Sequence, residues 1–178
     1  RDPIDASYNK LTTNTSGTFS KVSTSLTGNI SLTDLISTKG IFNAQIAMGK
    51  KNLDGSQFIT IGGAYGVRAY PSTQESGSNG YIYTQELSYA LPQVIERYSH
   101  SISAFYDIGR AFMANAIASN GTAIPFNAQI LQDVGIGYQA SYNNFFGKIQ
   151  IAQVIGGVKV AGVPYYNTKA LFQVGWVW

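Results

Sequence analysis

The stretch Ala170-Leu171-Phe172-Gln173-Val174-Gly175-Trp176-Val177-Trp178 alternates residue by residue: Phe172, Val174, Trp176 and Trp178 fall on one face, Gln173 and Gly175 on the other. This is a β-strand with one apolar, aromatic-tipped face. In a soluble domain such a strand is an edge that invites aggregation. A transmembrane β-barrel needs it, because its lipid face is apolar, its rim is aromatic and closure removes the edge.

The composition points the same way. Charged residues make up 12% of the chain, about half the usual share for soluble domains. Hydrophobic residues reach 44%, yet mean hydropathy is near zero at -0.02, a balance that suits alternating strands better than a dry core. Uncharged polar residues can line a wet interior, and the 12 tyrosines can sit at headgroup level. No run of apolar residues is long enough for a spanning helix. With no cysteine there is no disulfide, thiolate metal site or cysteine nucleophile. The net charge of +3 is mild and its cations are scattered, so no nucleic-acid surface is expected.

The alternation extends through the chain and predicts eight strands, over residues 6–11, 18–32, 40–50, 80–91, 101–110, 132–142, 145–156 and 170–178. Residues 18–32 set Val22, Leu26 and Ile30 against Ser23, Ser25 and Asn29, while 132–142 set Val134, Ile136 and Tyr138 outward. Asp107 falls on the inner face of its strand, as do Glu86 and Lys148, which read as general lining of a polar interior. The connections 33–39, 92–100 and 143–144 are short, whereas 51–79, 111–131 and 157–168 are long. That rhythm is the pattern of periplasmic turns alternating with external loops. His100, beside a short connection, reads as a solvated turn residue.

The loop 51–79 is too apolar and too rich in glycine to lie in solvent, and long loops of this kind carry function. Its Phe58-Ile59 and Val67–Tyr70 pieces need something to pack against, and the barrel interior is the natural place. An eight-stranded barrel has room only for its own side chains. A plugging loop therefore implies more strands, and the 178 residues are expected to be the C-terminal half of a larger barrel domain.

At this loop the sequence resembles the outer-membrane transporters of two-partner secretion, of the haemolysin/haemagglutinin activator-secretion type, in the superfamily that also contains the β-barrel assembly factor. The resemblance is carried by Lys51-Asn52-Leu53-Asp54, Gln57-Phe58, Ile61-Gly62-Gly63, Gly66-Val67-Arg68-Ala69-Tyr70-Pro71, Gly80-Tyr81 and Glu86-Leu87. Gly62-Gly63 followed by Val67-Arg68-Ala69-Tyr70 looks like the family's loop-six motif, with Ala69 where glycine is commoner; if the backbone there needs a positive φ, alanine is costly. Phe105-Tyr106-Asp107-Ile108-Gly109 resembles the family's inner-wall aspartate motif.

The resemblance runs from about residue 18 to the end of the chain and implies a barrel of sixteen strands in the bacterial outer membrane, preceded by N-terminal strands and periplasmic domains. It implies that Arg68 reaches into the lumen and pairs with Asp107, locking the loop as plug or gate. The implied partners are a large secreted exoprotein, adhesin or cytolysin, as client; outer-membrane lipids; and the barrel-assembly machinery, reading Phe172, Val174, Trp176 and Trp178 as an insertion signal. No cofactor, metal or catalysis is expected. Gly62-Gly63-Ala64-Tyr65-Gly66 lacks the Gly-Lys-Ser/Thr ending of a phosphate loop, and no nucleophile motif accompanies His100. A barrel-insertion factor shares the same motifs and is the rival reading; a solute porin and a soluble sandwich follow it.

Overall fold

The computed structural model describes residues 15, 18–49, 52–114, 129–156, 158–160 and 167–177. Seven strands form one antiparallel meander: β1 (Ser20–Ser31), β2 (Ile36–Met48), β5 (Asn79–Ala90), β6 (Tyr98–Phe112), β7 (Ile130–Tyr142), β8 (Phe145–Ile155) and β9 (Thr168–Trp176). Between β2 and β5 the long loop forms a two-stranded ribbon of β3 (Ile59–Thr60) and β4 (Ser76–Gly77). β1 and β9 are the two edges of the sheet. The strand predicted over residues 6–11 and the side chain of Trp178 lie outside the described residues.

Strand-by-strand register carries the two-faced pattern across the sheet. Tyr89, Ile102, Tyr138, Ile149 and Phe172 stand opposite one another in one outward row, and Leu87, Ala104, Ile136 and Ile151 in the next. The inner rows are Thr84, Asp107, Asp133 and Val154, and Glu86, Phe105, Gly135 and Ala152. The outer apolar side chains remain exposed, Ile136 at 64% and Phe172 at 70%. A contiguous exposed apolar face of this extent is a surface for lipid or a partner. Towards the short turns it gathers aromatic rings, with Phe145 and Trp176 stacked at 5.8 Å.

The turns explain the boundaries. Thr33 Oγ1 accepts the N–H groups of Leu35 and Ile36 at 3.3 and 3.0 Å, and the Leu32 N–H donates to Ile36 O at 2.8 Å. This tight turn lets β2 begin at Ile36, inside the predicted connection 33–39. Asn143, at φ 50, turns the two-residue connection from β7 to β8, a conformation asparagine tolerates.

His100 is a correction. It lies within β6, its Nε2 bonds Pro92 O at 3.1 Å and its Nδ1 meets Tyr138 Oη at 3.1 Å. Two ring-nitrogen partners, not solvent alone, fix it, because β6 starts earlier than its alternation shows. Ala111 and Leu131 were likewise assigned to a loop; they are fully buried on extended β6 and β7.

Candidate functional site

Where the long loop meets the inner face, that face is dry. Ile61, Val67, Ala69 and Tyr70 of the long loop pack against Ile82, Phe105, Ala111, Leu131, Ala152 and Val154 of the sheet in one buried hydrophobic cluster among the described residues. The loop therefore folds back onto the inner face, as its apolar content required. Burial of four such side chains supplies several kcal/mol at about 25 cal/mol per Å² of apolar surface.

The loop is shaped to make this contact. The Val67 N–H donates to Ile61 O at 2.8 Å, the Gly63 N–H to Tyr70 O at 2.9 Å and the Gly66 N–H to Gly63 O at 3.0 Å, while Gly62 bridges Val67. Gly63 sits at φ +102, open to glycine and strained for other residues. On the wall, a Cβ at Gly109 would lie 2.5 Å from Ile61 Cγ2 and 3.2 Å from Val67 Cγ2, so Gly109 is where the loop needs a flat seat.

Arg68 is the centre of the tip, only 5% exposed. Its Nε and Nη2 donate to Asp107 Oδ2 and Oδ1 at 2.9 and 3.2 Å, a two-pronged pair, and its own backbone N–H reaches Oδ2 at 3.3 Å. Its Nη1 donates to Glu86 Oε2 at 3.1 Å, and Lys148 Nζ holds the other oxygen of Glu86 at 3.2 Å. The guanidinium lies 3.6 Å from the Phe105 ring centre, a cation–π contact of the kind arginine favours. Asp107 is fully buried, so the pair holds a charge that water cannot reach. Removing one partner of such a pair costs about 3–5 kcal/mol.

Arg68, Asp107, Gly62, Gly63, Val67, Ala69, Tyr70, Phe105 and Gly109 thus converge in one place. Glu86 and Lys148, expected to be general lining, are members of the same charge network. Phe172, Val174 and Trp176 lie apart from it, on the outer face. Ala69 is not among the described residues with positive φ, so alanine fits there at ordinary backbone geometry.

Asp133 was missed. Its Oδ2 accepts the Ala69 N–H at 2.5 Å and it is fully buried, directly opposite Asp107. The signal was in the sequence: Asp133 is a carboxylate on the inner face two residues before a glycine, the spacing of Asp107 and Gly109 on the preceding strand. Tyr70 Oη donates to Val158 O at 3.0 Å and Lys169 Nζ to Tyr70 O at 3.2 Å, which adds the segment after β8 and β9 to the anchorage. Burial pushes the Tyr70 phenol above its ordinary value and keeps it a donor.

The described residues thus form an antiparallel sheet with an apolar outer face and a loop pinned to its inner face by a buried arginine. Residues 5–128 match the family model described as haemolysin secretion/activation protein ShlB/FhaC/HecB. The chain belongs to this family of two-partner secretion transporters. In the solved structures it is similar to CdiB from Escherichia coli, with a TM-score of 0.69 at 20% identity over 88% of this chain and 27% of that one; it therefore spans about a quarter of CdiB, and the likeness concerns the fold. No curated protein sequence matches it. Among the described residues no helix is long and apolar enough to cross a membrane, which says nothing of strands.

Proposed function

We propose that this chain is the C-terminal part of a closed outer-membrane barrel of about sixteen strands that exports a large secreted exoprotein, an adhesin or cytolysin, and that the Arg68 loop occupies and gates its lumen. The observation that carries the reading is the buried two-pronged bond between Arg68 and Asp107 in a chain of this family. It adds to the apolar seat of the loop a charged contact with the wall of the sheet that the strand ladder does not need.

The mechanism follows from what the inner face offers. The lock holds the loop across the passage at rest, so solutes do not leak. The unfolded client enters from the periplasm, passes along a wall that offers Ser, Thr, Asn and Gln beyond the dry seat of the loop, and folds outside. Folding beyond the membrane supplies direction. Outer-membrane lipids cover the apolar face, and barrel-assembly machinery inserts the chain.

The test is co-expression of the full-length transporter with its secreted partner polypeptide, scored by client in the medium and by the levels of unrelated outer-membrane barrels. Export lost on deleting the transporter, with other barrels unchanged, is the expected result. Normal export with falling levels of other barrels would identify an insertion factor instead.

A further inference from the structure

The loop tip buries nearly everything it carries. Gly62, Gly66, Val67, Arg68, Ala69 and Tyr70 are all buried, but Tyr65 is 93% exposed, the highest value among the described large hydrophobic residues. The tip thus holds an aromatic ring away from the wall to which it is bolted. Three residues on, Arg68 fixes its position.

Beneath Tyr65 lies a slot of about 160 Å³, with Ala64 and Tyr65 on the loop side and Lys148, Gln150, Leu171 and Gln173 on the strand side. Gln150 Nε2 is buried there without a hydrogen-bond partner among the described residues. A buried amide donor left unpaired costs free energy until an acceptor arrives. Lys148 is already committed to Glu86 at 3.2 Å, so the slot offers amides and an aromatic face, with its one cation neutralised. That chemistry suits an extended polypeptide backbone: carbonyls for Gln150 and Gln173, and any apolar side chain for the ring. It does not select a sequence.

We infer that Tyr65, with Gln150 and Gln173, forms a contact station at which the extended client touches the junction of loop and wall while the Arg68 lock is closed. This rests on the translocator reading and adds to it the residues that meet the client. With the tip seated, loop and strand residues line the slot together.

The experiment uses the full-length transporter in outer membranes with its secreted partner polypeptide fused to a fast-folding domain that stalls it in transit. A benzophenone amino acid replaces Tyr65 in one variant and Gln139, an exposed inner-face residue of β7, in another. Client adducts from both positions are expected. Tyr65→Ser should lower the initial export rate about three- to ten-fold, the size of one aromatic contact, and Tyr65→Phe should leave it near wild type. Adducts from position 139 but none from 65, or adducts from 65 to the transporter's own chain alone, would overturn the station and leave the translocator standing. No client adduct from either position, with the transporter inserted, would overturn the translocator reading itself.

Discussion

Asp133 stands directly opposite Asp107 across β6 and β7, and the two carboxylates divide one loop tip between them. Asp107 takes the guanidinium and the backbone N–H of Arg68; Asp133 takes the N–H of Ala69 at 2.5 Å. Asp107 holds charge and backbone, its neighbour backbone alone. Because Asp133 uses only one oxygen here, its Oδ1 having no partner among the described residues, an amide can keep the bond that matters. Asp133→Asn should retain export, whereas Asp133→Ala leaves a buried N–H unpaired at a cost of about 1–3 kcal/mol and should loosen the tip. Protease accessibility of the long loop in intact outer membranes checks this; equal accessibility in the two variants would count against the bond.

Arg68→Ala and Asp107→Ala should each reduce client export sharply while barrel levels stay near normal, since neither residue takes part in the strand ladder through its side chain. The double variant should lose little more than either single, as residues that act through one contact are non-additive. Arg68→Lys should fail to restore export, because an ammonium cannot make the two-pronged bond or the flat contact on Phe105. Export near wild type from Arg68→Ala would remove the lock from the mechanism.

The two faces should tolerate charge very differently. Ile136→Arg places a cation on the apolar face and should cost about 2–4 kcal/mol near mid-bilayer, while Gln139→Arg on the inner face should cost little. Urea unfolding in lipid vesicles measures both. Equal losses would mean that the apolar face does not meet lipid.

Trp176 stacks on Phe145 and, with Phe172 and Val174, makes the apolar face of β9. Trp176→Ser should lower the amount of transporter in the outer membrane, and Trp178→Ser should do the same. Heat-modifiable mobility on gels, together with membrane abundance, decides it: wild-type values for both variants would detach β9 from insertion.

The strands were legible because an apolar and a polar face impose opposite demands on neighbouring residues, so Ile136 and Gln139 announce their faces by chemistry alone. The Arg68–Asp107 pair was legible through the motifs and the inward turn of Asp107. What alternation cannot reveal is where side chains on separate strands meet. Glu86 and Lys148 looked like lining until diagonal proximity across the sheet made them one network with Arg68. Asp133 differs: its inner-face position and spacing were legible, but its partner is the backbone N–H of Ala69, and backbone donors carry no signature in a sequence. His100 was misplaced because β6 begins at Tyr98, before its clear alternation starts.

The loop tip touches β5 through Glu86, β6 through Asp107 and Phe105, β7 through Asp133 and β9 through Lys169. Hydrogen bonds between adjacent strands set their spacing but leave the curvature of a sheet soft. A tip that grips four strands at once is a strut, and it fixes how far they bend around it. Losing Arg68 therefore releases the tip's polar hold on β5 and β6 and leaves Asp133 and Lys169 to hold it to β7 and β9, so the strut spans two strands in place of four.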